Sequence, residues 1–223
     1  METQFTTEFW RNGPTPGGLY QFPGQGNNQK VSQYGPAKHT LNLSRLMKVN
    51  DSTIIGAGGD YADYQFLKSL IEQRVIEEEC LNDGFNYTPN SLYSWLTRVM
   101  YNRRSNFNPL WNVFVVGGLQ NGEPFLGYID KIGIAYQAPT IATGYGAYIA
   151  QPLLREAYEK NPNMSLTDAE RHIDRCLKIL YYRDARSLNK YEVAIVTKDG
   201  SIVKGPISSN PNWEVAKMIK GYE

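Results

Sequence analysis

The sequence contains few of the residues from which disulfide-stapled or metal-bound folds are built. Its 223 residues include two cysteines, Cys80 and Cys176, and two histidines, His39 and His172. The cysteines form no disulfide framework and no metal-ligand spacing, and no carboxylate cluster surrounds either histidine. Both cysteines lie on predicted helices, where we expect small buried thiols. We therefore predict no metal site and no cofactor.

The chain also lacks a long apolar run and a strong charge of either sign. No stretch approaches the ~20 apolar residues of a membrane-spanning helix, and residues 1–13 lack the basic-then-apolar pattern of a signal peptide. The formal net charge of +1 creates no bulk field for nucleic acid or a membrane surface. We expect neither as a partner, and we expect a reducing location in the cytoplasm or nucleus.

Tyrosine, by contrast, is abundant, with 16 Tyr beside 4 Trp. These side chains combine apolar area with a polar group and are enriched at protein interfaces, although ordinary core use is the alternative. Residues 1–42 are rich in Gly, Pro, Gln and Asn without a sustained period, which predicts an irregular tail. Residues 43–223 are the predicted folded domain.

Hydrophobic periodicity gives the order of elements in this domain. Antiparallel hairpins alternate with pairs of helices, so we predict an α+β fold of stacked layers rather than a doubly wound sheet. The predicted elements are strands near residue 46 and over 53–57, helices over 61–79 and 89–102, three strands between 110 and 139, helices over 147–159 and from 165, a hairpin over 191–205, and a short helix over 213–219.

Local signals support several of these boundaries. Asp60 and Ser165 are predicted N-caps, and Asn121-Gly122 and Asp199-Gly200 are predicted hairpin turns. Apolar residues at helical spacing predict one buried face on each of three helices. The predicted faces are Tyr64, Leu67, Ile71 and Val75; Leu92, Trp95, Leu96 and Met100; and Ile173, Cys176, Leu177 and Leu180.

Five long and specific segments occur in order between about residue 45 and residue 223. They are "NDSTIIGAGGDYADYQFL", "WLTRVMYNRRSNFNPLWNVFVVGG", "FLGYIDKIGIAYQAPTIATGYGAYIAQPLLRE", "LYYRDARS" and "WEVAKMIKGYE". Through these segments, the region resembles the β subunits of the proteasome, in particular their non-catalytic members. The resemblance implies an Ntn-hydrolase-like four-layer αββα sandwich, which agrees with the α+β order predicted above.

Catalytic members of this family use a threonine at the start of the mature chain as nucleophile and its amine as base. Asp184 and Ser187, in an Arg-Asp-x-x-Ser pattern, match family positions that hold this amine. The nucleophile should follow a glycine, but the chain contains no Gly-Thr dipeptide. The other candidate nucleophiles are Thr6 and Thr7, and no glycine precedes them.

A second family motif, a Gly-Ser-Gly-Ser turn, is matched by Gly144-Tyr145-Gly146-Ala147. Both hydroxyls are replaced, and Tyr145 is bulky where the family needs a small residue. We therefore predict that all these matched positions are vestigial and that the chain has no catalytic residue.

Without a nucleophile, the Arg-Asp-x-x-Ser cluster needs another role. We predict that Asp184 pairs with Arg183 or Arg186 and that Ser187 caps the loop between helix and strand.

One part of the family pattern has no counterpart in this chain. "HTLN" joins "LSRLMKVN" directly, where the family has two long strands and a turn. The resemblance thus implies a sandwich that lacks its first two strands. The neighbouring strands would lose ladder partners, and the helices would lose part of their cover.

As function, the resemblance implies a non-catalytic structural β subunit of the 20S core particle, which supports ring assembly and ubiquitin-dependent protein degradation by its neighbours. The implied partners are other β subunits, the α ring and assembly chaperones. Candidate interface residues are Arg103, Arg104, Trp213 and Tyr222, beside the aromatic residues of the tail.

Three alternatives remain at this point. The chain is a truncated isoform that assembles poorly or binds only ring precursors, an active threonine peptidase, or a ligand-binding protein. The peptidase lacks the Gly-Thr site. The ligand-binding protein has little support, because the glycines of "GAGGD" lack the Gly-x-Gly-x-x-Gly spacing of a nucleotide loop.

Overall fold

The computed structural model describes residues 43–214. Their order confirms the predicted alternation of strands and helix pairs, and thus the α+β class. The helix predicted over 213–219 extends outside the described residues, as does the whole tail. The elements are β1 Leu46–Asn50, β2 Thr53–Gly59, α1 Tyr61–Leu81, α2 Pro89–Ser105, β3 Asn112–Gln120, β4 Glu123–Ile129, β5 Ala135–Gln137, α3 Gly146–Lys160, α4 Leu166–Arg183, β6 Lys190–Thr197 and β7 Gly200–Ser208.

The first five strands form one antiparallel sheet in chain order, β1-β2-β3-β4-β5. Ile55 pairs with Val116, and Phe114 pairs with Ile129. These four side chains are buried, because alternate residues along a strand point to the same face. The predicted Asn121 turn is confirmed: Asn121 and Gly122 have φ of 54° and 83° between the paired ends of β3 and β4.

Helices α1 and α2 cover that face of the sheet. The predicted faces are confirmed, because Leu67, Ile71, Leu96 and their neighbours on the same stripes join the buried strand residues in one cluster. Asp60 begins α1 by accepting a hydrogen bond from the backbone N–H of Asp63 at 3.0 Å. Each such cap satisfies a donor that the first helical turn leaves without a partner.

The described residues divide into two units. The first contains residues 43–137 together with Val196–Ile202, and the second contains Ala138–Ile195 and residues 203–214. Fifteen buried apolar side chains of the described part lie in the first unit, whereas the second has only Ala150 and Cys176. The hydrophobic core is thus concentrated in the first unit.

Within the second unit, α3 and α4 pack against each other. β6 pairs with β7 in a two-stranded sheet, of which residues Val196–Ile202 belong to the first unit and the rest to the second. The predicted buried face of α4 is wrong in part: Cys176 is buried, but Ile173 is 41% exposed. A cleft of about 460 Å³ lies between α4 and the hairpin, lined by Ile173, Tyr191 and Val193 among others. Two strands are too few to cover the apolar stripe of an 18-residue helix.

The two cysteines differ in their surroundings. Cys176 is buried as predicted, and burial raises the pKa of its thiol. The prediction for Cys80 is wrong, because this residue is exposed. It lies in the last turn of α1, beyond Ile71, the last buried residue of that helix. Local helical spacing placed Cys80 on a helix but could not show that the sheet ends before it.

Two further absences are confined to residues 43–214. No helix there is long and apolar enough to cross a bilayer. No three acidic, cysteine or histidine side chains there come together as a metal would require.

Asn112 provides a test of how the sheet is joined to α1. Its side chain is fully buried, and Nδ2 donates to the carbonyl oxygens of Gly58 at 3.0 Å and Asp60 at 2.7 Å. We expect Asn112→Ala to lower the free energy of unfolding by about 2 kcal/mol, because two buried hydrogen bonds are lost. Urea unfolding followed by circular dichroism measures this change.

The matched control for that experiment is Asn90→Ala, at an exposed position in the first turn of α2. We expect it to change the unfolding free energy by less than about 0.5 kcal/mol. Equal effects of the two substitutions would show that the Asn112 bonds do not stabilise this junction.

Candidate functional site

The Arg-Asp-x-x-Ser cluster forms the turn that ends α4. Asp184 is the C-cap, and its backbone N–H donates to the carbonyl of Leu180 at 2.8 Å. Its Oδ1 accepts from the backbone N–H of Arg186 at 3.0 Å. The hydroxyl of Ser187 donates to the carbonyl of Asp184 at 2.7 Å, and the Ser187 N–H donates to the same carbonyl at 3.0 Å. Both side chains therefore serve the local backbone.

The predicted ion pair of Asp184 with Arg183 or Arg186 is wrong. None of the ion pairs within residues 43–214 includes Asp184. Its carboxylate instead satisfies a main-chain donor two residues further on, a short-range bond that aspartate forms readily in turns. The hydroxyl of Ser187 closes the loop, as the sequence predicts. Because this hydroxyl donates to a carbonyl rather than to a base, nothing in the turn activates it as a nucleophile.

The glycine-rich turn lies at the start of α3. Gly144 has φ of 59°, and its carbonyl accepts from the N–H of Ala147 at 3.2 Å. Gly146 is buried, and a Cβ built there would lie 3.7 Å from Cδ1 of Leu180 on α4. The structure thus brings this turn beside the last turn of α4, so the two groups of matched positions share one end of the helix pair. Tyr145 is 51% exposed.

Of the predicted interface residues, Arg103 and Arg104 lie at the end of α2. Arg103 is half-buried, and its guanidinium carbon lies 5.6 Å from the centre of the Phe66 ring. Burial raises the pKa of the Asp63 carboxyl, and the nearby Arg103 guanidinium opposes part of this rise. Arg104 is exposed. Arg103 is therefore partly engaged within the chain, whereas Arg104 faces solvent.

Trp213 lies against the end of α4 and is 53% exposed. Its ring makes edge-to-face contacts with Tyr181 and Tyr182, at centroid distances of 5.9 and 5.0 Å. The Tyr182 hydroxyl donates to the carbonyl of Asn212 at 3.0 Å and accepts the Asn212 N–H. These contacts hold the chain that follows β7 to α4. Tyr222, Thr6, Thr7 and the aromatic residues of the tail lie outside the described residues.

Sequence reasoning missed two features of the first unit. Phe107, just after α2, has a left-handed backbone with φ of 52°. Lys131 places its ammonium 4.0 Å from the centre of the Trp111 ring, a cation–π contact. Pro109 shortly after "YNRRSN" was a signal for the end of a helix, where such a backbone is common. The Lys131 contact joins the turn after β4 to the residue before β3 and had no local signal.

Comparison with known proteins places these features in a family. A family model described as "Proteasome subunit" matches residues 29–196. The chain is 59% identical to "Proteasome subunit beta type-4" of Xenopus laevis over 193 residues, which cover 86% of this chain and 80% of the relative. It is 36% identical to the protein of that name from Drosophila melanogaster, with 96% of both chains covered. Identity to "Proteasome subunit beta type-7" of Saccharomyces cerevisiae is 38%, covering 86% of this chain and 76% of the relative.

A pair of substitutions at Asp184 tests whether this residue serves only the local turn. Asp184→Ala removes the acceptor for the Arg186 N–H, and we expect it to lower the free energy of unfolding by about 1 kcal/mol. Asp184→Asn keeps an acceptor oxygen and removes the charge, which is unfavourable at a helix C-terminus. We expect a change of no more than about 0.5 kcal/mol, measured by urea unfolding. If Asn is as disruptive as Ala, the carboxylate charge has a role beyond the turn.

Proposed function

Because the chain belongs to the proteasome subunit family, we propose that it is a non-catalytic β-type subunit of the 20S core particle. The observation that carries this proposal is the 59% identity, over most of both chains, to a protein named as a proteasome β subunit. Members of this family assemble with other proteasome subunits. Here the partners are the neighbouring β subunits and the α ring, with assembly chaperones acting before the ring closes.

This subunit acts through its interfaces rather than through chemistry of its own. It helps to close the β ring around the chamber in which neighbouring subunits cleave proteins delivered by the ubiquitin system, in the cytoplasm and nucleus. Three observations support a non-catalytic role. The sequence has no Gly-Thr dipeptide, the turn at Gly144 has tyrosine and alanine in place of the two serines of the family motif, and the Ser187 hydroxyl donates to a backbone carbonyl. Asp184 and the residues of the Gly144 turn are vestigial in this proposal.

The proposed domain is residues 43–223, preceded by a tail over 1–42 that resembles a pro-segment and lacking the first hairpin of the family. Two observations support the missing hairpin. The alignment with the Drosophila relative spans 256 positions, more than the 223 residues of this chain, so the relative has residues without a counterpart here. In addition, β6 and β7 pair only with each other among the described strands.

A second candidate function follows from the same missing hairpin. In the second unit Ala150 and Cys176 are the only described apolar side chains that are buried, which is a small core for two helices and a hairpin. A form with so little buried area would assemble incompletely and remain bound to ring precursors. This alternative has the same partners as the first proposal, but it predicts that assembly stops at ring precursors instead of reaching the complete core particle.

Co-expression with the α and β subunits of the same organism separates the two candidates. We expect native mass spectrometry to find the chain in the complete core particle, as it should find the Xenopus laevis relative expressed in the same way as a control. Recovery only in precursors would favour the assembly-defective form. Recovery only as a free chain or aggregate, while the control assembles, would contradict both.

An electrophilic peptide probe that modifies N-terminal threonine tests the non-catalytic assignment on the same preparations. We expect catalytic neighbours to be labelled and this chain to remain unlabelled, because it offers no Gly-Thr processing site. A covalent adduct on Thr6 or Thr7 would overturn the assignment.

A further inference from the structure

Helix α1 extends past the core that its first half covers. Ile71 is its last buried residue, and Val75 is the last of its residues that packs against the core cluster. The six residues after Val75 add about 9 Å of helix. Among them, Ile76 is 59% exposed and Leu81 is 67% exposed. Large apolar side chains that are grouped and exposed in this way mark a contact with a partner.

The loop after α1 continues this exposed region. Asn82 ends the helix with a left-handed backbone, φ of 49°, and its N–H donates to the carbonyl of Glu79 at 3.2 Å. Phe85, three residues further on, is 73% exposed. Its N–H donates to Oδ1 of Asp83 at 3.0 Å. The chain therefore adds one more exposed ring and one more carboxylate just after the helix.

Helical spacing places acidic and apolar side chains together at the end of α1. Leu81 follows Glu77 by four residues and Glu78 by three, and residues at these spacings are neighbours on a helix. An exposed leucine is thus bordered by two glutamates. We call Ile76, Glu77, Glu78, Leu81, Asp83 and Phe85 the α1-end surface.

The next glutamate, Glu79, belongs to a neighbouring cleft and is left out of this surface. The cleft has a volume of about 740 Å³ and is lined by Glu79, Lys48 and Lys198 among others. Lys48 also pairs with Asp51 at 2.7 Å. Two lysines therefore already lie around Glu79.

The negative charges of the α1-end surface have no such neighbours. No ion pair within residues 43–214 includes Glu77, Glu78 or Asp83. The basic residue of α1 that is nearest in sequence is Arg74, and its guanidinium carbon lies 5.0 Å from the centre of the Trp95 ring. That side chain is engaged in a cation–π contact. The surface therefore combines exposed apolar area with uncompensated negative charge.

Acidic residues are unfavourable at the end of a helix, where the backbone dipole is negative. The last turn of α1 contains Glu78 and Glu79 but no basic residue. The other three described helices each have a basic residue in that turn, namely Arg103 and Arg104 in α2, Lys160 in α3 and Arg183 in α4. A cation from another chain would supply α1 with the charge that these helices carry themselves.

We propose that the α1-end surface binds a basic segment of a neighbouring proteasome subunit. Apolar side chains of that segment pack on Ile76 and Leu81, and a Lys or Arg pairs with Glu78 at the negative end of the helix dipole. Charge of one sign around exposed apolar side chains selects a partner of the opposite charge. The proposal rests on the proposed function, since it takes the neighbour to be another subunit of the particle.

The direct test places a photoreactive phenylalanine analogue at position 81 of the full chain, co-expressed with the α and β subunits of the same organism. We expect ultraviolet light to join this position to one other subunit, and mass spectrometry to find Lys or Arg beside apolar residues in the linked peptide. A link to residues 1–42 of the same chain, to a second copy or to a segment without basic residues would overturn the proposal, as would the absence of any link.

Charge reversal separates a binding role of Glu78 from a structural one. Because positive charge is favourable at a helix end, we expect Glu78→Lys to raise the thermal midpoint of the free chain by about 1–3 °C. The same substitution repels a basic segment, so we expect incorporation into the particle to fall about tenfold in competition with the wild-type chain.

Glu159→Lys is the matched control for this reversal. Glu159 also lies in the last turn of a helix, α3, and no ion pair within residues 43–214 includes it. We expect a similar rise in the thermal midpoint and unchanged incorporation. An equal loss of incorporation in both variants would contradict a specific role of the α1-end surface.

The apolar part of the contact is tested at Leu81. We expect Leu81→Ser to reduce incorporation about tenfold in the same competition. We expect it to change the thermal midpoint of the free chain by less than about 2 °C, because this side chain is mostly exposed. The control is Leu166→Ser, at a leucine that is 53% exposed at the start of α4; it should enter the particle as the wild-type chain does.

These measurements distinguish failure of this inference from failure of the proposed function. If the wild-type chain enters the particle and either Leu81→Ser or Glu78→Lys enters equally well, this inference fails while the proposed function stands. If the wild-type chain joins no proteasome complex, the proposed function fails and takes this inference with it.

Discussion

The packing of two helices on one face of the five-stranded sheet is the interaction on which the rest of the described structure depends. Leu67 from α1, Leu96 from α2 and Phe114 from β3 are each fully buried in one cluster. Burying side chains of this size contributes about 1.5–3 kcal/mol each, and the cluster includes fourteen residues. The sheet is continuous from β1 to β5, so this unit has both its hydrogen-bond ladder and its apolar cover.

Within the described residues, the second unit has no large sheet to cover the apolar faces of its helices. Helix α4 has a strongly amphipathic sequence and a good N-cap at Ser165, yet Ile173 on its apolar face is 41% exposed. The helix forms because caps and spacing are local, but its apolar face needs a sheet to cover it. In the proposed assembly, contacts with neighbouring subunits stabilise a unit that has little core of its own. The free energy of unfolding of this chain then depends on its binding to the neighbouring subunits.

Sequence reasoning predicted those features that depend on near neighbours. The Asp60 cap, the Asn121-Gly122 turn and the stripe of Leu67 and Ile71 all follow from residues within a few positions of one another. The exposed position of Cys80 and the partial exposure of Ile173 were not predictable in this way, since each depends on where a sheet ends. At the candidate site, the sequence predicted the closing bond of Ser187 but not the acceptor role of Asp184, because charged neighbours suggested an ion pair where a backbone donor was closer.

The two units differ in how much apolar surface is covered, and hydrogen exchange of the free chain measures this difference. Amides of β2 and β3 lie within a packed sheet, whereas those of α4, of residues 190–195 in β6 and of residues 203–208 in β7 are in a unit with few buried apolar side chains. We expect the slowest amides of β2 and β3 to exchange at least about 100-fold more slowly than any of these amides in the second unit. Equal protection in both units would show that the second has a complete core of its own, and would contradict the account.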